Sequence, residues 1–311
     1  MQIGLIAIDM DGTLLGSNGH VSPRNLAALR AADHAGVEIV IATGRRHCYA
    51  MKVLRQLDLN PALALVSSNG SVVRTIGKAE LLHRTYLPLT TSRWLCEHMA
   101  EYRSTLVVTF DSVRPDGEDD HGALVVEHLD DLHTSVGAWM TVNQPYIAHV
   151  ERLEHALEGD PPIQMMLAGP VAKMRRAEQR LLEHEHVYAV GVTPRERIHT
   201  AQVAIHRTEY PLRDLCIVDI LPAGCSKGNA ILRHAAQRGL QPDEVLAIGD
   251  NWNDVSMLEA AGHAVLMANA PADLKSQATA RGWQLGPSND DDGVAAAIEA
   301  ALSALPIGTR W

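Results

Sequence analysis

The stretch that decides the fold spans residues 3–15 and reads IGLIAIDMDGTLL. Its apolar first part, residues 3–8, has the length and composition of a buried strand in a parallel sheet. The apolar run ends in two carboxylates at alternate positions, Asp9 and Asp11, and Gly12 follows as a turn residue. Both acids are therefore expected at the carboxyl end of a strand, where open α/β sheets bind their ligands.

The spacing of these two acids also indicates a type of chemistry. Carboxylates that lie close together repel each other, so both stay ionised most readily beside a cation. A bound cation would leave one of the carboxylates free to attack a substrate as a nucleophile. The pattern thus favours a Mg²⁺-assisted reaction on a phosphate.

The composition is that of an ordinary globular protein and argues against some partners. The chain has 311 residues, of which 46% are hydrophobic and 21% are charged, so it can form a large core or two domains. The net charge of −10 argues against nucleic acid or an anionic membrane as the main partner. A small anionic substrate would need local basic groups or a metal ion to bind.

Cysteine usage and the lack of targeting segments predict a cytoplasmic protein. No apolar run approaches the length of a membrane span, and no basic segment precedes the first apolar run as it would in a signal peptide. The cysteines are scattered without a C-x-x-C pair, which is typical of free thiols in a reducing compartment. They are Cys48, Cys96, Cys216 and Cys225.

The two ends of the chain share one pattern, in which apolar runs alternate with helical segments. This alternation predicts right-handed βαβ units and a parallel sheet. After the opening strand, such runs occupy residues 37–42, 62–66, 216–221, 244–248 and 264–267.

The middle of the chain follows a different pattern. Its strand candidates are shorter and more alternating, for example residues 105–110 and 163–167, which is typical of antiparallel sheet. We therefore expect an α/β fold with a Rossmann-like parallel-sheet core and an inserted α+β cap domain. The predicted core comprises residues 1–82 and 216–311, and the predicted insert comprises residues 83–215.

Polar residues follow the apolar runs of the predicted core. Because the carboxyl ends of parallel strands meet at one edge of a sheet, these residues are expected to converge. They are Asp9, Asp11, Thr43, Asn69, Asp250, Asn253, Asp254 and Asn269. Lys227 is predicted at a helix start, where backbone N–H groups favour an anion. In a phosphoryl-transfer site of this type, Asp9 and Asp250 would bind Mg²⁺, while Thr43 and Lys227 would bind phosphate oxygens.

At this point the chain resembles the haloacid dehalogenase-like phosphatases, and within them the Cof-like, type IIB branch. The segments that carry the resemblance are Asp9–Thr13, Thr43–Arg45, Ser226–Gly228 and Gly249–Asp254. That branch has its α/β cap between the second and third motifs, where this chain has its insert. Asn69-Gly70 and Asp292-Gly293-Val294 are also similar to that branch, whereas Trp252 departs from it, since a smaller or polar residue is common there.

The resemblance implies a role for each matching residue. Asp9 would attack phosphorus and form an aspartyl-phosphate, and Asp11 would protonate the leaving alcohol and then activate water. Thr43 and Lys227 would be catalytic through their hold on the phosphoryl group. The implied metal-binding residues are Asp9, Asp11 through its backbone carbonyl, Asp250, and Asp254 through water or hydrogen bonds. The implied substrate-binding residues are Asp9, Thr43, Gly44, Arg45, Lys227 and Asn253.

The sequence therefore predicts a Mg²⁺-dependent phosphatase that acts on a small phosphorylated metabolite. One alternative is a hexose phosphate phosphomutase, in which Asp11 would help return the phosphoryl group to the sugar. Another is a non-catalytic phosphosugar-binding protein, but binding alone does not need the nucleophile that Asp9 provides. Sugar phosphates, compounds of the flavin mononucleotide type and pyridoxal phosphate all remain open as substrates. We expect the inserted domain to select among them.

Overall fold

The computed structural model describes residues 3–114, 116–127, 136–191, 193, 200–210 and 213–303. The chain forms two compact units, one from residues 1–83 and 226–311 and the other from residues 84–225. Among the described residues, no helix combines the length and the apolar character that a membrane crossing requires.

The strands and helices are numbered here in chain order. The strands are β1 Leu5–Asp9, β2 Glu38–Ala42, β3 Ala64–Ser67, β4 Val72–Thr75, β5 Leu81–Arg84, β6 Leu106–Thr109, β7 Leu124–Val126, β8 Ile147–His149, β9 Gln164–Gly169, β10 Val187–Ala189, β11 Val203–Tyr210, β12 Leu215–Pro222, β13 Val245–Gly249, β14 His263–Leu266 and β15 Gln284–Leu285. The helices are α1 Pro23–His34, α2 His47–Leu54, α3 Leu89–His98, α4 Gly137–Asn143, α5 Leu153–Ala156, α6 Val171–Leu182, α7 Lys227–Gln237, α8 Val255–Ala260, α9 Ala272–Ala278 and α10 Gly293–Ser303.

The described part of the first unit contains an eight-stranded sheet in the order β15-β14-β13-β1-β2-β3-β4-β5. Strand β1 lies inside this sheet and pairs in parallel with β13 on one side and β2 on the other. Its side chains alternate between two apolar clusters. Ile6 and Ile8 pack with residues of α1, α2 and α10, and Leu5 and Ala7 pack with residues of α7, α8 and α9. Burial on both faces explains why β1 reads as a continuous apolar run.

The register of these parallel strands brings three loops together. Asp9 at the end of β1 is opposite Ala42, the last residue of β2, and Ile8 is opposite Ile248 of β13. The residues that follow β2 and β13, Thr43 and Asp250, therefore lie at the same edge of the sheet as Asp9.

Two serines determine where helices of the first unit begin. The Ser22 hydroxyl accepts a hydrogen bond from the Asn25 backbone N–H at 3.0 Å and caps α1. The Ser226 hydroxyl accepts a hydrogen bond from the Asn229 backbone N–H at 3.0 Å and caps α7. The cap at Ser226 makes Lys227 the first residue of α7.

The second unit contains a seven-stranded sheet in the order β10-β11-β12-β9-β6-β7-β8 among the described residues. The inner pairs of this sheet are antiparallel, namely β11–β12, β12–β9, β9–β6 and β6–β7. The outer pairs β10–β11 and β7–β8 are parallel. Helices α3, α5 and α6 contribute Leu95, Leu153 and Met174 to one apolar cluster with strand residues such as Leu106 and Ile205. The α/β class with a largely antiparallel insert is thus confirmed.

Strand β12 lies in the second unit, whereas the sequence prediction assigned residues 216–221 to the core. It pairs antiparallel with β11 and β9, and the second unit extends to residue 225 instead of 215. The misassignment has a physical cause. Side chains of this strand are buried on both faces of its sheet, so the strand is apolar at every position from 215 to 221 except Asp219 and resembles a parallel core strand. The first division falls at residues 83/84, next to the predicted 82/83.

Three charged residues connect separate elements of the second unit. Arg103 contacts Glu127 at 2.6 Å and also pairs with Glu154 at the start of α5. Glu127 in turn accepts a 2.7 Å hydrogen bond from the Leu153 backbone N–H. The hydrogen bond from Arg103 lowers the pKa of Glu154 from 4.5 to about 2.

The lowered pKa of Glu154 predicts a loss of stability in acid. The stabilisation is fully present above pH 4.5 and is lost as the pH falls towards 2, because the unfolded chain takes up the proton first. We expect Glu154→Gln to lower stability at pH 7 by about 1–2 kcal/mol, and to have little effect near pH 2. Thermal unfolding across this pH range measures both effects. Glu183→Gln is the control, because its ion pair with Arg180 is exposed and is expected to contribute little. Equal losses in the two variants would contradict the prediction.

Candidate active site

Three carboxylates and one ammonium group meet at the carboxyl edge of the first unit's sheet. Oxygen atoms of Asp9, Asp250 and Asp254 lie within 4.8 Å of one another, and all three residues are buried. The Nζ atom of Lys227 lies 2.5 Å from Asp9 Oδ1 and 2.6 Å from Asp254 Oδ1, and its side chain is fully buried. The sequence predicted these four residues for one site, and the structure brings them together.

The electrostatics of this cluster follow from its burial and its excess of negative charge. Burial raises the pKa of Asp9 to about 7, and the nearby charge of Asp254 adds to this effect although Lys227 opposes it. Burial, followed by the charges of Asp9 and Asp254, also raises the pKa of Asp250 well above its ordinary value. Burial would lower the pKa of Lys227, but the carboxylates of Asp254 and Asp9 outweigh burial and raise it.

The donor set of the cluster fits a divalent cation. One ammonium group does not balance three buried carboxylates, and their repulsion adds to the larger effect of burial in raising the pKa values of Asp9 and Asp250. Carboxylate oxygens are the ligands that hard cations such as Mg²⁺ prefer. These residues could therefore hold a metal ion whose charge offsets their repulsion.

Within the cluster, Asp254 has both of its oxygens engaged by donors. Its Oδ1 atom contacts Lys227, and its Oδ2 atom accepts hydrogen bonds from the backbone N–H groups of Asp250 at 2.9 Å and Asn251 at 3.0 Å. Asp254 thus fixes both the position of Lys227 and the path of the chain after β13. The prediction that Asp254 acts on a metal ion indirectly is consistent with these contacts.

Asp11 contacts Arg45 through two nearly parallel hydrogen bonds. Arg45 Nε donates to Asp11 Oδ2 at 2.7 Å, and Arg45 Nη2 donates to Asp11 Oδ1 at 2.6 Å. The guanidinium also lies over the Tyr49 ring, 4.6 Å from its centre. The backbone N–H of Arg45 donates to Thr43 Oγ1 at 3.1 Å, so Arg45 is tied to a second predicted site residue. The sequence predicted Arg45 at the site but not its bond with Asp11.

Two residues that sequence reasoning left without a catalytic role contact Asp250. Thr13 Oγ1 donates a 3.0 Å hydrogen bond to Asp250 Oδ1. The side-chain amide of Asn269 donates to Asp250 Oδ2 at 3.3 Å and to the Gly12 carbonyl at 2.8 Å. Both donors orient the Asp250 carboxylate. The sequence had placed Asn269 among the converging polar residues and Thr13 in the first motif, but it gave neither a contact with Asp250.

Asn253 and Asn69 link two of the strand ends. The Asn253 side-chain amide donates a 3.2 Å hydrogen bond to Asn69 Oδ1, and both residues are buried. Asn69 has a φ of +50°, a left-handed conformation that asparagine tolerates better than most residues. Gly44 lies next to Asn69, and a Cβ atom added at Gly44 would be 3.3 Å from the Asn69 side chain. Asn253 and Gly44, both predicted to bind substrate, therefore contact or adjoin Asn69.

Trp252 occupies a short 3-10 turn, Trp252–Asp254, after β13. The sequence singled out this residue because a smaller or polar residue is common at the position in the branch that the chain resembles. In the structure its side chain is partly buried and packs against the apolar cluster that includes Val255 and Leu258. Trp252 therefore packs as part of the core, and these contacts explain why a large side chain is accommodated at this position.

At Gly12 the backbone passes close to the Asp250 carboxylate. Its φ is +82°, and a Cβ atom there would overlap the Asp250 carboxylate, including its Oδ2 atom. We expect Gly12→Ala to displace Asp250 and to lower kcat by at least about 100-fold, since small displacements in a catalytic site have effects of this size. Steady-state assays measure kcat, and thermal unfolding measures any loss of stability.

The matched control for this prediction is Gly19→Ala. Gly19 has a similar φ of +77°, but a Cβ atom there meets nothing within 4 Å. The control variant carries the backbone strain alone, about 1 kcal/mol or slightly more. A comparable loss of kcat in both variants would show that strain, and not the displacement of Asp250, is responsible.

Comparison with known proteins assigns this fold and site to a family. A model of the haloacid dehalogenase-like hydrolases matches residues 6–298. The chain belongs to that family, as the four sequence motifs predicted.

The relatives of the chain include several phosphatases. The chain is 29% identical to the 5-amino-6-(5-phospho-D-ribitylamino)uracil phosphatase YwtE of Bacillus subtilis, over 96% of its own length and 98% of the relative's. It is 31% identical to the phosphatase YwpJ of the same organism, over 94% of its own length and 97% of the relative's. The protein is accordingly an enzyme of the phosphatase class.

A solved structure extends the comparison to the insert. The fold matches a subclass IIB sugar phosphatase of the same superfamily with a TM-score of 0.69 and 19% identity, over 95% of this chain and 98% of the other. The predicted type IIB architecture, with its insert between the second and third motifs, is thereby confirmed.

Proposed function

We propose that the protein is a Mg²⁺-dependent phosphomonoesterase that hydrolyses a small phosphorylated metabolite through an aspartyl-phosphate intermediate on Asp9. The observation that carries this proposal is the contact between the buried Asp9 carboxylate and Lys227 beside Asp250 and Asp254. A nucleophilic carboxylate, a cationic group and a metal-binding set of oxygens are what in-line transfer of a phosphoryl group needs.

We assign the metal site mainly to Asp9 and Asp250. Thr13 and Asn269 orient the Asp250 carboxylate, and the resemblance to the family adds the backbone carbonyl of Asp11. Asp254 would act indirectly, since both of its oxygens already accept hydrogen bonds. Bound Mg²⁺ supplies positive charge that offsets the repulsion among the carboxylates and the phosphate oxygens.

The chain's own residues would then divide the reaction into two steps. Lys227 and Thr43 bind phosphate oxygens and position phosphorus for the attack by Asp9. A bond forms between an Asp9 oxygen and phosphorus, the bond between phosphorus and the ester oxygen breaks, and Asp11 gives a proton to the departing alcohol. In the second step Asp11 accepts a proton from water as the water attacks phosphorus, which regenerates Asp9 and releases inorganic phosphate.

The substrate is proposed only as a class. One relative of the chain is named for a phosphorylated ribitylaminouracil, and a protein with the same fold is a sugar phosphatase. We therefore propose a small phosphate ester with a polar alcohol portion, a sugar phosphate or a nucleotide-like cofactor phosphate. We assign the choice among such alcohols to the inserted unit, residues 84–225.

Hydrolysis of p-nitrophenyl phosphate tests the proposed function. We expect turnover with Mg²⁺, loss of turnover with EDTA and recovery when Mg²⁺ is restored, because the carboxylate cluster needs a cation to accept a phosphate dianion. The absorbance of nitrophenolate gives the rate. Full turnover in EDTA would refute the metal-dependent mechanism, and turnover that required a sugar bisphosphate primer would favour a phosphomutase.

A further inference from the structure

We propose that Arg45 is a phosphate-responsive positioning residue. In the free enzyme its guanidinium binds the Asp11 carboxylate, and a phosphate dianion that enters the site takes over the same N–H groups and releases Asp11. The inference rests on the proposed function, since it concerns how the acid–base group of that reaction becomes available. It assigns Arg45 two successive partners.

The first observation is the geometry of the pair. Arg45 uses Nε and Nη2, the two donors on one edge of its guanidinium, and both Asp11 oxygens accept from them at 2.6–2.7 Å. Two oxygens of a phosphate present nearly the same spacing to that edge, so a carboxylate and a phosphate compete for it. A dianion has the larger charge and is the stronger competitor for a cation.

The second observation is where Arg45 is anchored. Its backbone N–H donates to Thr43 Oγ1, and its carbonyl accepts from the Ser68 backbone N–H at 2.9 Å. The start of the side chain is thus fixed beside Thr43, a predicted phosphate ligand. The Tyr49 ring supports the guanidinium from one face. A change of partner therefore requires no movement of the Arg45 backbone.

The third observation concerns Asp11. Both of its oxygens accept N–H donors of Arg45, so the ion pair fixes the orientation of the carboxylate and occupies one acceptor site on each oxygen. Its side chain is nevertheless 39% exposed, against 17% for Arg45, so Asp11 is the partner with room to reorient. Release of Asp11 by the arriving phosphate would make the acid–base group available only when substrate is bound.

A double-mutant cycle on phosphate binding tests this competition without relying on turnover. Calorimetry with inorganic phosphate is carried out in Mg²⁺ on the full-length enzyme and on D11N, R45Q and D11N/R45Q. If Asp11 competes for Arg45, D11N tightens phosphate binding about tenfold when Arg45 is present, within the usual range of coupling between sites. In the R45Q background only the general loss of one negative charge remains, and we expect a change of about twofold or less.

Two further variants separate the geometry of Arg45 from its charge. R45K retains the charge but lacks the pair of parallel donors, so D11N is expected to have a small effect in that background as well. R46Q is the matched control, because it removes the same charge from the adjacent arginine, which contacts Cys48 Sγ, and leaves the two donors to Asp11 in place. The tenfold effect of D11N should persist in R46Q.

The outcomes distinguish this inference from the proposed function. An equal effect of D11N with and without Arg45 would overturn the competition while leaving the phosphatase mechanism intact. Persistence of the tenfold effect in R45K would also overturn it, since charge alone would then suffice. If phosphate bound to none of the variants nor to the unchanged enzyme, the proposed function would fail and the inference with it.

Discussion

Asp9→Asn is expected to abolish phosphatase turnover while leaving the enzyme's Tm in EDTA unchanged or higher. The amide cannot form the acyl phosphate, so we expect kcat to fall by at least about 10⁴-fold, the scale seen when an essential nucleophile is removed. Steady-state hydrolysis of p-nitrophenyl phosphate in Mg²⁺ measures the loss.

The expected gain in stability follows from the raised pKa of Asp9. A carboxyl group whose pKa rises from 3.8 to about 7 on folding destabilises the folded state as it ionises. This cost is absent below pH 3.8, grows as the pH rises and is complete above pH 7. The amide of the Asp9→Asn variant would remain neutral throughout, so the Tm advantage of the variant in EDTA should increase between pH 4 and pH 7.

Asp243→Asn is the control for this comparison. Asp243 is exposed in the turn Pro242–Glu244, away from the strand ends that carry the site. We expect neither turnover nor Tm to change in this variant by more than the small amounts typical of surface substitutions. A marked fall in the Tm of the Asp9 variant would mean that misfolding, and not loss of the nucleophile, explains its inactivity.

Lys227→Met is the second substitution with a large expected effect. Lys227 is fully buried and contacts Asp9 and Asp254 at 2.5 and 2.6 Å, so its removal leaves buried carboxylates without their cationic partner. Removing one member of such a pair costs about 3–5 kcal/mol. The proposed ligand for phosphate oxygens is lost as well, and we expect kcat/KM to fall by at least about 10³-fold.

A double variant separates these two consequences. Lys227→Met combined with Asp254→Asn removes one charge of each sign, so much of the lost stability should return in chemical denaturation. Activity should not return, because the ammonium group that we propose to bind phosphate is still absent. Recovery of turnover in the double variant would show that Lys227 acts only by neutralising Asp254.

The core of the fold was predictable because its strands carry a strong signal. Residues buried on both faces of a parallel sheet read as continuous apolar runs, and Leu5–Asp9, Glu38–Ala42 and Val245–Gly249 all lie within or next to the runs that the sequence shows. Polar residues at the ends of those runs then had to meet at one edge. The grouping of Asp9 and Asp250 follows from this rule, whereas Lys227 was predicted from its place at the start of a helix.

Other parts of the fold were not predictable, for reasons that are also physical. A buried antiparallel strand such as β12 shows the same apolar run as a core strand, so periodicity alone cannot assign it to a sheet. Two-residue strand β15 and four-residue helix α5 are too short to produce a recognisable pattern. These elements are defined by their tertiary contacts.

The sequence also did not predict which side chains of the site contact each other. The motifs identified Asp11, Arg45 and Asn253 as site residues, but spacing does not tell which atoms meet. The pairing of Arg45 with Asp11 and of Asn253 with Asn69 depends on loop geometry, including the left-handed backbone at Asn69. Such conformations are selected by the surrounding structure and not by local preference.

The central position of β1 has a consequence for the order in which the protein forms during synthesis. Strand β1 pairs with β13, so the innermost part of the first sheet stays incomplete until the ribosome has passed residue 249. The inserted unit is continuous from residue 84 to residue 225 and is finished earlier. We therefore expect the insert to fold on the nascent chain before β1, which already has β2 beside it, gains β13 as its second neighbour.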